Sequence, residues 1–254
     1  MPSAPRLLAL ETSTDTLSVA LGDGVPGGAL WQHSGPGGAL ASTTLLPLVR
    51  QLLDTAGWAM DSLDAVVFGR GPGSFTGLRT ACAVAQGLAY GARPGGLPVL
   101  PVDTLLALAE EARFVQQQAG QSGPGAIAAL LDARMAEMYV ATYACTATGL
   151  APLAPPRLCA PPDLGTYLRE HLPAGRPALL AGNVFETYAP ALADVTGERL
   201  HALPTASALL RLAPALLAAG AAVPARDALP LYVRDKVAQT TEERERLRAT
   251  VPTP

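Results

Sequence analysis

The stretch DAVVFGRGPGSFTGLRTACAVAQGLA, residues 64–89, constrains this chain more than any other. Ala65 to Phe68 is an apolar run that reads as a buried strand. Glycines at 69, 71, 73 and 77 allow a sharp turn, and Leu78, Ala81, Cys82, Ala85, Leu88 and Ala89 then fall on one side of a helix over 77–91. Strand, glycine-rich turn and helix form the unit from which α/β folds are built. The turn raises the question of phosphate, yet both named phosphate motifs fail. A Walker A loop needs a Lys that this stretch lacks, and Thr76 stands where the last glycine of a dinucleotide fingerprint belongs. Two readings remain. Free N–H groups at the helix start, with the Ser74 and Thr76 hydroxyls, favour an anion. Alternatively, the glycines only turn the chain, and Ser74 or Thr76 caps the helix.

The surrounding pattern supplies the architecture. Arg6 to Leu10 and Thr16 to Leu21 read as strands around the polar turn Glu11 to Asp15, and Ala29 to His33 is the third strand of a β-meander. A helix over 43–56 carries Leu45, Leu48, Val49, Leu52 and Leu53 on one face, with Pro47 in its first turn and Gly57 as its cap. Val99 to Val102 is a strand, and Asp103 is placed to cap the helix that follows. The order βββαβαβα then restarts. Ala126 to Leu131 and Met138 to Tyr143 flank the turn DARMAE, and the proline-rich APLAPPRLCAPPD reads as a connector. Helices at Leu164 to His171, Val184 to Ala193 and Ala206 to Ala219 surround strands near 178–181 and 199–203. With 254 residues, the expectation is two related α/β halves facing a cleft. These divide as 1–103 and 104–238, followed by a charged tail, 239–254, that reads as disordered.

Composition limits the functions open to such a chain. Charged residues make up only 15% of it, well below the usual quarter or so, which points to a surface with a protein partner. A net charge of −3 argues against gripping nucleic acid unaided. No apolar run approaches the ~20 residues of a membrane helix, and the first residues lack a signal-peptide pattern, so the expected location is the cytoplasm. Cys82, Cys145 and Cys159 show no CxxC spacing and read as buried, reduced fillers. His33, His171 and His201 form no helical metal pair, and no GxSxG elbow occurs. No catalytic and no metal-ligating residue is therefore assigned. Glu11 and Asp132 each end an apolar strand. Two carboxylates facing one cleft would suit magnesium or general-base chemistry, and turn-forming hydrogen bonds are the alternative. Arg70, Arg79 and Arg134 divide likewise between contacts to a nucleotide or RNA phosphate and a solvent-facing or ion-paired role.

LLALETSTDTLSVAL, LLPLVRQLL, DAVVFGRGPGSFTGLRTACAVAQGLA, LPVLPVDTLLALA, LDARMAEMYVA, AGNVFETY and PLYVRDKVA, in this order, closely resemble the TsaB (YeaZ) family over most of the chain. The resemblance implies an actin-like ATPase fold (the ASKHA group, ribonuclease H-like) in two related subdomains. It also implies a non-catalytic role in making threonylcarbamoyladenosine at position 37 of tRNAs reading ANN codons. In that system the paralogue TsaD transfers the threonylcarbamoyl group to the adenine N6, TsaB supports TsaD, and the small ATPase TsaE joins in bacteria. Where TsaD carries HxxxH, this chain has Thr104 and Leu108, poor metal ligands both. The family pairs with TsaD, or with itself as a homodimer, through the two amphipathic helices. Leu45, Leu46, Val49, Leu53, Leu78, Ala81, Cys82 and Ala85 are the interface residues this implies. Glu11, Thr12, Ser13, Gly71, Gly73, Ser74, Thr76, Asp132 and Arg134 are the residues expected nearest any nucleotide. The family commonly has Asp where this chain has Glu11. The chain is expected to hold no cofactor of its own, with ATP or ADP and magnesium confined to the subunit junction, and tRNA is expected to be met through the complex.

Two other classes stay open at this point. A glycoprotease-type peptidase would require metal-dependent cleavage of a protein substrate. An independent sugar-kinase-like ATPase would bind ATP strongly, in a manner lost on changing Glu11 or Gly73.

Overall fold

The chain alternates faces along its first strands, and that alternation sets the layers. The computed structural model describes residues 4–121, 123–173 and 178–234. In β1 (Leu7–Glu11) and β4 (Ala65–Gly71), Leu8, Leu10, Val66 and Phe68 point to one side, and Leu7, Ala9, Ala65 and Val67 to the other. Both sets are wholly buried, so this sheet must be covered on both faces. Each buried Leu contributes about 1.5–3 kcal/mol relative to exposure.

The first sheet has the order β3-β2-β1-β4-β5, with β2 Thr16–Gly22, β3 Leu30–Pro36 and β5 Val99–Asp103. β1, β2 and β3 are an antiparallel meander, and β4 and β5 run parallel to β1. The second sheet repeats this plan with β6 (Ala126–Asp132), β7 (Met138–Thr146), β8 (Gly149–Cys159), β9 (Ala178–Gly182) and β10 (Glu198–His201). Its order, β8-β7-β6-β9-β10, has the same mixture of directions. This duplication is the actin-like fold that the resemblance implies.

The helices complete the layers by exchange. α1 (Ala41–Ala56) and α2 (Phe75–Gly91) cover the outer face of the first sheet. α4 (Leu164–His171) covers the outer face of the second. α3 (Thr104–Gln118) follows β5 but lays Leu105, Leu108, Ala109 and Ala112 on the second sheet. α5 (Ala206–Ala218) follows β10 but packs Leu209, Leu210 and Ala213 on the first. The chain then returns to pair Val223 with Val99. A division at 103/104 thus separates the sheets but not the helices. The tail 239–254, with 235–238, lies outside the described residues.

Several expectations are corrected. The run 149–159 is an edge strand rather than a connector. Pro152, Pro155 and Pro156 are tolerated there because an edge strand has a free hydrogen-bonding side, and its register slips near them. No regular helix spans 184–193. Single helical turns bond Tyr188 N–H to the Val184 carbonyl and Leu192 N–H to the Tyr188 carbonyl, and Pro190, lacking an N–H, stops them joining into a helix. α1 begins at Ala41, so Pro47 sits inside it rather than in its first turn. β3 runs on to Pro36. Cys145 is only partly buried, while Cys82 and Cys159 are buried, and all three are free thiols. Asp103 occupies the N-cap position of α3 without capping, because its carboxylate accepts from Arg70 Nε.

Candidate functional site

The carboxyl ends of β1, β4 and β6 converge on one cleft of about 340 Å³ between the halves. Open α/β sheets place ligands at such strand ends. The turn after β1 (residues 11–15) and the turn after β6 (residues 132–137) occupy equivalent positions in the two sheets and face each other across it. The glycine-rich loop after β4 supplies the third wall. Ser13, Gly73, Ser74, Thr76, Asp132 and Arg134 line the cleft, whereas Glu11, Thr12 and Gly71 do not.

The turn after β1 is sealed by the loop. Glu11 and Thr12 are fully buried and Ser13 nearly so. Glu11 Oε1 accepts from Ser13 N–H at 2.7 Å, Thr12 Oγ1 donates to the Gly77 carbonyl at 2.7 Å, and Ser74 N–H donates to the Ser13 carbonyl at 2.7 Å. The contact is so close that a Cβ on Gly77 would overlap the Thr12 carbonyl oxygen, and one on Gly69 would overlap Glu11 Oε2. Ser74 also caps α2, accepting from Gly77 N–H at 3.4 Å. The loop therefore serves packing first, and the plainer reading of its glycines is the structural one.

Glu11 consequently does not share the cleft with Asp132. Its carboxyl lies beneath the loop, where Oε2 has no hydrogen-bond partner. Burial raises its pKa, only partly opposed by hydrogen bonds from Ser13 and Thr12. A carboxyl so enclosed does not face the cleft.

The turn after β6 is built differently. Asp132 Oδ1 accepts from Tyr188 O–H at 2.7 Å and from Arg134 N–H at 2.9 Å, and Asp132 N–H donates to Asn183 Oδ1 at 2.9 Å. The Tyr188 hydroxyl is pushed up to about 12 by burial and then by its hydrogen bond to Asp132 and that group's charge, so it stays a donor. Arg134, Met135 and Ala136 all have left-handed backbone, with φ of 61°, 55° and 56°. Each such non-glycine residue costs on the order of 1–3 kcal/mol, tolerated only where surrounding contacts enforce it. Arg234 supplies part of them, pairing with Glu137 Oε2 at 2.8 Å and donating to the Ala133 carbonyl at 3.2 Å, while the Tyr188 hydroxyl donates to the Glu137 carbonyl at 3.1 Å.

Arg70 and Arg134 are ion-paired, whereas Arg79 stacks on a ring. Arg134 meets Asp15 at 2.6 Å and Asp132 at 3.5 Å, Arg70 meets Asp103, and Arg79 lies over the Phe75 ring at 3.7 Å. Asn183, Tyr188 and Arg234 were not among the residues singled out from sequence. They fall inside AGNVFETY and PLYVRD, stretches conspicuous as motifs but without a spacing that names a chemistry.

Most of the interface residues that the resemblance implies are buried in the chain itself. Leu45, Val49, Leu53, Ala81, Cys82 and Ala85 belong to the chain's own core between the first sheet and its helices and Leu78 is buried, while Leu46 is 50% exposed. An apolar stripe on a helix that covers a sheet packs on that sheet first. What α1 and α2 leave outside is a shallow groove lined by Leu46, Trp58 and Leu88 with Arg50 and Asp54, and Val49 and Leu53 reach its floor from the core.

Residues 40–241 match the family model described as TsaD: tRNA N6-adenosine threonylcarbamoyltransferase. The tRNA threonylcarbamoyladenosine biosynthesis protein TsaB of Escherichia coli (strain K12) is 31% identical over 237 residues, covering 92% of this chain and 96% of that one. The chain belongs to the TsaB family. The Haemophilus influenzae TsaB is 41% identical over 136 residues, covering 52% of this chain and 51% of its own. The structure of YeaZ from Pseudomonas aeruginosa superposes with a TM-score of 0.76 at 34% identity, covering 90% of this chain and 99% of that one. Among the described residues, no helix is long and apolar enough to cross a membrane.

Proposed function

We propose that the chain is a non-catalytic subunit of the complex that transfers threonylcarbamoyl to N6 of adenosine 37 in tRNAs reading ANN codons. It works in the cytoplasm by binding the catalytic paralogue TsaD, with TsaE as a further partner, and pairs with itself when alone. The observation carrying the non-catalytic reading is at the start of α3. Thr104 and Leu108, which stand where the paralogue's histidine pair would, are both wholly enclosed in this chain's core. A ligand set is replaced by packing on a retained fold. Nucleotide and magnesium then belong to the junction with the partner, and tRNA is met through the complex.

The partner surface is the groove on α1 and α2. Leu46 is its exposed apolar centre, and stable interfaces of this kind bury about 1,200–2,000 Å² in total. Ala81 and Ala85 are unsuitable test positions, since an arginine there would break the core rather than the contact.

The test is transfer of labelled threonylcarbamoyl to tRNA by purified TsaD, TsaE and threonylcarbamoyl-AMP synthase, with this chain present, absent or replaced by Leu46→Arg. The expected outcome is modification that needs the chain and is lost with the variant, which still folds but no longer co-elutes with TsaD. Equal modification without the chain would overturn the proposal.

A further inference from the structure

The strained turn 134–136 and helix α2 stand on opposite sides of the cleft, and among the described residues no hydrogen bond joins them directly. The C-terminal strap, residues 228–234, touches both. On the α2 side, the Ala228 carbonyl accepts from Gln86 Nε2 at 3.0 Å. Tyr232 then packs on Phe75 with ring centroids 5.3 Å apart and accepts from Arg79 Nε at 3.1 Å. Two residues later, Arg234 grips the turn through the Ala133 carbonyl and Glu137.

We propose that this strap is a latch coupling α2 to the cleft: seated on α2, it holds the turn in its left-handed form, and lifted from α2, it lets the turn relax. Two features support this. The turn is an element with an accessible alternative, because arginine, methionine and alanine all favour right-handed or extended backbone. Arg234 also holds it firmly, since that side chain is only 11% exposed and its bonds to Glu137 and a carbonyl are charge-assisted. Among the described residues, a second link from the turn to the first half is the Asp15–Arg134 pair. With side chains 80% and 71% exposed, it is the kind of surface pair that contributes little. The inference stands whether or not α2 also meets the catalytic partner.

Hydrogen–deuterium exchange on the full chain tests it. Three amides report on the turn: Ala133 N–H to the Glu137 carbonyl, Arg134 N–H to Asp132 Oδ1, and Glu137 N–H to the Arg134 carbonyl. Arg234→Ala should speed their exchange directly. Tyr232→Ala and Arg79→Ala, which alter only the α2 side, should also speed it by about tenfold or more, the scale of losing a hydrogen bond to a charged group. Exchange in β1 and β6 should stay unchanged. Should Arg234→Ala release the turn while the two α2-side variants leave it protected, the grip is local and the coupling is overturned. Unchanged exchange in all three variants overturns it as well. If Tyr232→Ala also exposes β1 and β6, it has unfolded the chain. Arg79→Ala then decides alone, release supporting the latch and unchanged protection refuting it.

Discussion

The turn after β1 and the turn after β6 end equivalent strands of sheets with the same topology, yet they are stabilised in opposite ways. Residues 11–13 of the first are buried, and glycines of a neighbouring loop allow that loop to lie directly on them. The second has no glycine, stays largely exposed and holds three residues in left-handed backbone with help from a distant arginine. A duplicated scaffold therefore does not fix how its ends are held. One turn depends on absence of side chains and the other on a side chain supplied by the C-terminal strap.

Adding a methyl group to the loop breaks this comparison most severely. Gly77→Ala places a Cβ on the Thr12 carbonyl, and both partners are backbone, so neither yields without separating loop from turn. A loss of about 3 kcal/mol is expected, at the upper end for overpacking. It would be read as a fall in the urea midpoint at unchanged slope.

Neutralising the buried carboxyl comes next. Because burial raises the folded pKa of Glu11 above its ordinary 4.5, the folded state holds its proton more tightly than the unfolded chain. The contribution to stability is fully present below pH 4.5 and declines as pH rises from there towards the raised folded value. Glu11→Gln should flatten this part of the stability profile and make the chain more stable than its parent at neutral pH. An identical pH profile in the variant would show that Glu11 is solvated or paired.

The second turn responds in the opposite sense to the first. Ala136 has φ of 56°, so Ala136→Gly relieves strain while making the unfolded chain more flexible. A net gain of about 0.5–1 kcal/mol is expected, measurable as a raised midpoint. Loss of stability instead would show that the methyl group packs usefully in the turn.

Local pattern made much of this legible in the sequence, and long-range exchange hid the rest. Short apolar runs such as LLAL and AVVF, and alternation in TLSVAL, revealed the strands, and helical spacing revealed α1 and α2. The same spacing could not show that Leu45, Val49 and Ala81 face their own sheet, because an apolar stripe looks alike whether a sheet or a partner covers it. Leu46 lies off that stripe, and its exposure appears only in three dimensions. Nothing local says that α5 crosses to the first sheet, or that Arg234 reaches back about a hundred residues to the turn at 134–136. Prolines misled twice, suggesting a connector where an edge strand tolerates them at 152, 155 and 156, and failing to warn of the break at Pro190.

Asp15→Ala should have the smallest effect, and its smallness is informative. The Asp15–Arg134 pair, at 2.6 Å, spans the cleft between the two turns. Distance alone would make it the natural brace between the halves. Its carboxylate and guanidinium are both mostly in water, where screening and side-chain entropy offset most of the attraction. The expected change is below about 0.5 kcal/mol and shrinks further at high salt. In the same assay, Asp132→Ala should cost several times more. It strips the Tyr188 hydroxyl and the Arg134 amide of an acceptor whose side chain is only 11% exposed. If Asp15→Ala instead proved as costly as Asp132→Ala, the halves would be braced by charge across the cleft, and the strap would not be their principal tie. If the two separate as expected, the first turn contributes packing and the second is held by its own half and the strap, through Tyr188 and Arg234.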